Sequence, residues 1–415
     1  MKIENRKKDV VFLCQYFFPE TISSAALSFD MAEYLAEKGL SVGALCGYPK
    51  EYSEEKRIPK NETVHGIDVQ RIRYLNIKRA KKIGRLINYF SFAVSALLNI
   101  RKLKNYKSII VTSAPPIIPF VALLASILFG TKIIFVSYDV YPEIAVSMGA
   151  LSDSSLIVSG MQWINKKLFE KASLVVALTD EMREYLLEHR PTLTEDRIIT
   201  ISNWAHEESD DTSNYEGNLD CENDCFSITY FGTMGVCQEM NTILEAAERL
   251  KDHDNIKFIF AGHGTKKQAI KDAVQEKHLT NVAVRDFLTG ESLAQAIEQS
   301  SCFVVSLEAG IRGMCAPSKY YSYLYGGRPI IAIIEQDSYL AEEIEYEGIG
   351  VAINIGDTER LVKAILNMEA DKTGTAEMGA RARKLYYLNY SKQACLREYY
   401  YSVNRVIGIK EMVHN

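Results

Sequence analysis

Two periodicities alternate along the chain. Short apolar runs bounded by polar residues read as buried strands, and longer stretches with apolar positions every three or four residues read as amphipathic helices. Val10 to Cys14 is the first strand, Gln15 to Ser24 a turn, and Ala25 to Lys38 a helix with Leu27, Met31 and Leu35 on its apolar face. Leu40 to Cys46 follows as a strand, Tyr48 to His65 as a polar loop, and Ile67 to Tyr74 as a strand. Lys78 to Lys107 reads as a long helix, then Ser108 to Thr112 as a strand, Ile117 to Phe129 as a helix and Ile133 to Val136 as a strand. Leu156 to Lys171 is a helix containing Trp163, Ser173 to Leu178 a strand, and Arg197 to Ile201 the last strand of this half. Glu207 to Asp224 is acidic and rich in Ser, Asp and Asn, as a boundary between domains should be. Beyond it the alternation resumes, with strands at Ser227 to Phe231, Ile256 to Phe260, Asn281 to Val284, Cys302 to Leu307, Ile330 to Ile334 and Val351 to Ile355. Alternating β and α segments predict an α/β fold with a parallel, doubly wound sheet in each half. The expected division is residues 1–206, a linker at 207–225, a second domain at 226–390, and a closing helix at 391–415 crossing back to the first domain.

Composition changes this picture little; charge changes it more. The chain has 415 residues, 47% hydrophobic and 24% charged, which suits a soluble globular protein of two or three domains. Eight cysteines are scattered, and Cys221 and Cys225 form the one close pair. No second Cys/His pair has zinc-site spacing, so reduced thiols and no metal site are expected. Met1 to Lys8 is charged and Val10 to Leu13 is too short for the apolar core of a signal peptide. Net charge is −5, but Arg71 to Lys107 holds eleven Lys or Arg and no Asp or Glu. That asymmetry points to a local anionic partner and away from nucleic acid. The Lys78–Lys107 stretch is read in two ways: a long core helix with solvated ends, or a helix on an anionic membrane surface. In the second reading Lys78, Arg79, Lys81, Lys82, Arg85 and Phe90 make the contact. The apolar run from Ile117 to Val136 is not read as a membrane span, because Pro119, Gly130 and Lys132 interrupt it.

Candidate chemistry collects at the ends of strands. Ala316 to Pro329 reads as loop, short helix and Gly turn before a buried strand. Pro317 suits a first helical turn, which puts Ser318 and Lys319 at a helix N-terminus, where free N–H groups and the dipole favour an anion. Gly232-Thr233-Met234-Gly235 and Gly262-His263-Gly264 each follow a strand and precede a helix, and their glycines let backbone approach a bulky ligand. The first βα turn lacks G-x-G-x-x-G, so a dinucleotide site has no support there. Tyr138-Asp139-Val140-Tyr141-Pro142-Glu143 places two carboxylates at a strand's C-terminal end, where open α/β sheets hold ligands; an N-cap with surface charge is the plainer reading.

In order and spacing these residues resemble the GT-B glycosyltransferases of the family-4 type, in the branch that builds bacterial surface polysaccharides on lipid carriers. The resemblance rests on Phe17-Phe18-Pro19-Glu20, Asp139…Pro142-Glu143, Asn203-Trp204, the turn before Glu245-Ala246-Ala247, Ala261-Gly262-His263-Gly264 and Pro317-Ser318-Lys319…Gly327-Arg328-Pro329. It implies two Rossmann-like domains facing across a cleft. It also implies a retaining transfer from a UDP- or GDP-linked sugar to a polyprenyl-diphosphate-linked saccharide, at the inner face of the cell membrane, with no obligatory metal or cofactor. By position, Gly232, Thr233 and Gly235 would line the diphosphate, Ser318 and Lys319 would bind it, Asp286 and Phe287 would border the base, and Gly262 and Gly264 the donor. Asp139 and Glu143 would face the acceptor, one of them as general base. Ser322 stands where the wider family has a ribose-binding Glu, and Val236 where it often has a basic residue, a charge Arg312 would supply. A GT-B sugar-nucleotide epimerase or hydrolase, and an inactive assembly scaffold, remain the alternatives.

Overall fold

A computed structural model describes residues 7–20, 22–49, 58–75, 77, 82–205, 225–288 and 290–409, excepting the side chains of residues 82, 83 and 85. The chain divides into two compact units. One comprises Met1–Ser202, Gly313–Ala316 and Gln393–Asn415; the other comprises Asn203–Arg312 and Pro317–Lys392.

The first unit is built on strands β1 (Lys8–Cys14), β2 (Val42–Gly47), β3 (Asn61–Val64), β4 (Ile67–Ile72), β5 (Tyr106–Thr112), β6 (Lys132–Ser137), β7 (Leu174–Ala177) and β8 (Ile198–Thr200), in the order β3-β4-β2-β1-β5-β6-β7-β8. All neighbours are parallel except β3 and β4. Val10 to Cys14 is buried on both faces, because helices cover both sides of the sheet; its apolar run is therefore continuous and does not alternate. β3 lies in the stretch read as a polar loop. Its four residues, Asn-Glu-Thr-Val, are exposed or half-buried, the pattern of a solvated edge.

Arg71 corrects the reading of a basic surface that begins there. It is 1% exposed, and its guanidinium donates to the carbonyls of Pro59 and Phe18, both at 2.9 Å, and pairs with Glu62 at 2.5 Å. The predicted long helix is also shorter. It spans Lys82–Leu98 and ends at Asn99, whose side-chain amide donates to the Ser95 carbonyl at 2.9 Å; a 3₁₀ turn at Ile100–Asn105 follows. Among the described residues, no helix is long and apolar enough to cross a membrane, and no group of three His, Cys, Asp or Glu gathers to hold a metal.

The second unit carries β9 (Phe226–Thr233), β10 (Ile256–His263), β11 (Val282–Arg285), β12 (Cys302–Ser306), β13 (Ile330–Ile333) and β14 (Gly350–Ile353), all parallel, in the order β11-β10-β9-β12-β13-β14. Along β12 the side chains divide between two cores: Cys302 and Val304 join one apolar cluster, Phe303 and Val305 the other. β9 and β10 run further than their apolar runs suggest, and Gly232 and Thr233 pair with Gly262 and His263 inside the sheet. A helix at Tyr339–Tyr346 adds to the predicted set, capped by Ser338, whose hydroxyl accepts from the Ala341 N–H at 3.3 Å.

The closing stretch has three parts: a helix at Lys372–Leu385, a π turn at Tyr386–Tyr390 and a helix at Lys392–Ile407. From Gln393 onward it belongs to the first unit, where the Lys132 ammonium donates to the Val406 carbonyl at 2.5 Å. Among the described residues six cysteines form no disulfide; Cys225 is disulfide-bonded, against the expectation of reduced thiols throughout, and its partner lies outside the described residues.

Candidate functional site

In the second unit the ends of β9 and β10 are pressed together backbone to backbone. A Cβ at Gly262 would lie 1.8 Å from the Gly232 carbonyl oxygen, so only glycine fits. Gly264 has φ +139°, and a Cβ there would lie 2.2 Å from the Met234 oxygen. The Met234 N–H donates to the His263 carbonyl at 2.7 Å, and the Lys266 N–H to the Met234 carbonyl at 3.0 Å, locking the two turns together. The Gly235 N–H donates to the Gln238 side chain at 2.8 Å. Thr233 is exposed at the end of its strand.

Lys319 reaches this strand end from the helix Lys319–Gly326. Its ammonium donates to the Tyr230 hydroxyl at 2.9 Å and sits 4.7 Å from that ring's centroid. Its Cε is 3.6 Å from where a Cβ on Gly232 would be. The Tyr230 hydroxyl in turn donates to the Thr233 carbonyl at 2.7 Å. Burial pushes the Tyr230 phenol far up, so it stays neutral and keeps that proton. Ser318 is the exposed N-cap, with no side-chain capping bond, and Pro317 precedes the cap instead of opening the first turn. Ser322 is half-buried on the same helix.

Asp286 and Phe287 follow β11, both exposed. Lys267 donates to the Asp286 carboxylate at 2.6 Å and holds it below the usual carboxylate range. The Phe287 ring meets His263 edge-on at 4.8 Å, so these residues flank the Gly262–Gly264 turn. Burial, with Lys267 nearby, lowers the His263 imidazole. Arg312 pairs with Asp337 at 2.5 Å, so its charge already has a partner.

In the first unit Asp139 lies just past β6. Its N–H and that of Tyr138 both donate to the Ser113 hydroxyl, at 3.0 and 2.9 Å, and its backbone bridges to Cys315. Burial raises its half-buried carboxyl to about 6. Glu143 is held differently. Both its oxygens lie 2.8 Å from Nη2 of Arg190, which is 8% exposed and packs 5.4 Å from the Phe169 ring centroid. Among the described residues Asp139 has no ion pair.

Two known family descriptions match the chain: "Glycosyl transferase 4-like domain" over residues 28–204 and "Glycosyl transferases group 1" over residues 225–371. The chain belongs to the GT-B glycosyltransferases of the family-4 type. It is 24% identical over 294 residues to a probable glycosyltransferase, WbjE, of Pseudomonas aeruginosa, covering 65% of this chain and 67% of that one. It is 21% identical over 367 residues to WcaI of Escherichia coli K12, described as a putative colanic acid biosynthesis glycosyl transferase, covering 84% and 89%. Sucrose-phosphate synthase of Thermosynechococcus elongatus superposes with a TM-score of 0.75 at 13% identity, covering 97% of this chain and 100% of that one. HepE of Anabaena, solved with UDP-glucose, gives 0.69 at 13% identity, covering 95% and 99%.

In this glycosyltransferase the residues expected from the sequence fall into separate sets. Gly232, Gly262, Gly264 and Lys319 are brought together, with Phe287 beside them through His263. Lys78, Arg79 and Lys81 lie outside the described residues, as do the side chains of Lys82 and Arg85; Phe90 is 58% exposed. The sequence reading missed Tyr230, Arg190, Lys266 and Glu308. Lys266 donates to the Gln238 carbonyl at 2.6 Å and pairs with Glu308, whose N–H donates to the Cys237 carbonyl at 2.9 Å, bracing the first turn. A phenol two residues before Gly232, in a strand whose other polar residues are only Ser and Thr, is the one sequence feature at Tyr230, and it does not reveal the Lys319 contact.

Proposed function

We propose that this glycosyltransferase moves a sugar, with retention, from a UDP- or GDP-linked donor to a polyprenyl-diphosphate-linked saccharide during surface polysaccharide assembly, without an obligatory metal. The observation that carries the donor part is Lys319. Its ammonium is fixed by Tyr230 beside the Gly232 strand end, at the head of a helix whose dipole also favours anions. A donor diphosphate is the anion that suits one full positive charge, a helix N-terminus and closely approachable backbone. HepE, similar in fold, was solved with UDP-glucose, and this supports a nucleotide-linked donor. The descriptions of WbjE and WcaI support a saccharide product.

Asp139 fits the general-base role better than Glu143. Glu143 is committed to Arg190, which would have to release it before it could take a proton. Asp139 has a carboxyl raised to about 6, close to the range where a base is both ionised and basic enough. A place on the inner face of the membrane is supported by the helix Lys82–Leu98. Leu86, Phe90, Val94 and Leu98 recur every four residues along it and are 55%, 58%, 55% and 83% exposed.

Product analysis tests the reading. Incubated with UDP- and GDP-sugars and a polyprenyl-diphosphate-linked saccharide extract, the enzyme extends the lipid-linked saccharide with the donor's anomeric configuration. Epimerised or hydrolysed donor, formed equally well without acceptor, would replace this proposal with the epimerase or hydrolase reading.

A further inference from the structure

Three helices of the first unit lie side by side. Ile118–Phe129 packs against Lys82–Leu98 on one side and Leu156–Lys171 on the other. The outer helix, Leu156–Lys171, has an unusual free face. Val158, Leu168 and Phe169 turn inward and are buried. Leu156, Ile157 and Trp163 turn outward and are 90%, 61% and 59% exposed. A core-forming amphipathic helix would put polar residues in those places.

The charge on this helix is sorted as well. Leu156 to Asn165 carries none, and Lys166, Lys167 and Lys171 then follow, all exposed. The one acid, Glu170, pairs with Lys167 at 2.9 Å and contributes little at the surface. An apolar and aromatic end followed by lysines on long stems is the pattern of a helix resting at a lipid–water boundary. The helix is tied to the segment after β6 through Asn165, whose side-chain amide donates to the Tyr141 carbonyl at 2.6 Å, two residues beyond Asp139.

We propose that Leu156–Lys171 is a second lipid-contacting element, which inserts Leu156, Ile157 and Trp163 into an anionic membrane surface while Lys166, Lys167 and Lys171 meet its phosphates. This rests on the peripheral-membrane reading above and adds a separate contact, one that needs none of the basic residues around Lys78. Because Asn165 of the same helix is bonded to the segment that carries Asp139, a helix held at the lipid surface also holds that segment on the membrane side, from which a lipid-linked saccharide would be presented.

The chain has two tryptophans, and they behave as reporter and control: Trp163 is exposed and Trp204 is 5% exposed. The full chain is mixed with vesicles of equal parts phosphatidylglycerol and phosphatidylethanolamine, with and without bromine on the acyl chains. Trp163 emission shifts to the blue, brominated lipid quenches it, and Trp163→Phe abolishes the quenching. Leu156→Glu changes a side chain that is almost fully exposed, so the fold stays intact; it weakens vesicle pelleting by about tenfold.

Three results would overturn the proposal. Pelleting without quenching of Trp163 would assign lipid contact to the Lys82–Leu98 helix alone and leave the peripheral reading standing. No pelleting would remove both. Concentration-dependent self-association, abolished by Leu156→Glu and indifferent to lipid, would assign this face to a second copy of the chain. Donor binding measured without vesicles is independent of all three.

Discussion

Replacing Asp139 by asparagine gives a stability change whose sign depends on pH. Asp139 is raised to about 6 by burial, against about 3.9 for an aspartate in an unfolded chain. Between those values the folded state binds more protons than the unfolded state, so stability falls as pH rises through that window. Below it the acid is neutral in both states and carries no penalty. Above about pH 6 the whole penalty is present; a gap of about two units corresponds to about 3 kcal/mol. Asparagine has nearly the same shape and never ionises. Asp139→Asn is therefore expected to raise the thermal midpoint at about pH 8 and to leave it nearly unchanged at about pH 4. Differential scanning calorimetry of both proteins at both pH values measures this. If Asp139 is the base, the same variant loses about a hundredfold to ten-thousandfold in transfer rate. A midpoint shift equal at the two pH values, or a loss of stability at the higher one, would refute burial as the origin of the raised pKa.

Other outcomes follow from single contacts. Tyr230→Phe keeps the ring but removes the hydroxyl between Lys319 and Thr233; donor Kd, read by calorimetry, rises about tenfold, as losing a hydrogen bond to a charged group does. Gly262→Ala forces a Cβ toward the Gly232 carbonyl, so the chain loses about 1–3 kcal/mol of stability and its donor affinity, both visible in melting with and without nucleotide. Arg190→Leu leaves the Glu143 carboxylate without its partner and destabilises by about 3 kcal/mol or more, and adding Glu143→Gln restores most of it in chemical denaturation.

The alternation of apolar runs and amphipathic stretches made most of both sheets legible, because parallel strands covered on both faces are continuously hydrophobic. β3 escaped for the opposite reason: a polar edge strand held only by β4 carries no such run. Arg71 was misplaced because a basic residue in a strand looks the same in sequence whether it faces water or turns inward to a half-buried Glu62 and two backbone carbonyls. The glycine turns and Lys319 were visible as residue types at strand ends. Tyr230 was not, since its role comes from the distance between two segments 89 positions apart. Arg190 was hidden likewise, 47 positions from Glu143. The exposed face of Leu156–Lys171 looked like an ordinary helix stripe, because periodicity reports that a face is apolar and not which way it turns.

Isothermal titration of UDP and of GDP into the wild-type chain and into Lys319→Ala addresses the nucleotide clamp itself. At least one of the two should bind the wild type, and the variant, with an unchanged melting temperature, should bind that nucleotide about tenfold more weakly or worse. Equal affinity of the two proteins, or no heat from either nucleotide with the wild type, would contradict the assignment of Lys319 to the donor diphosphate.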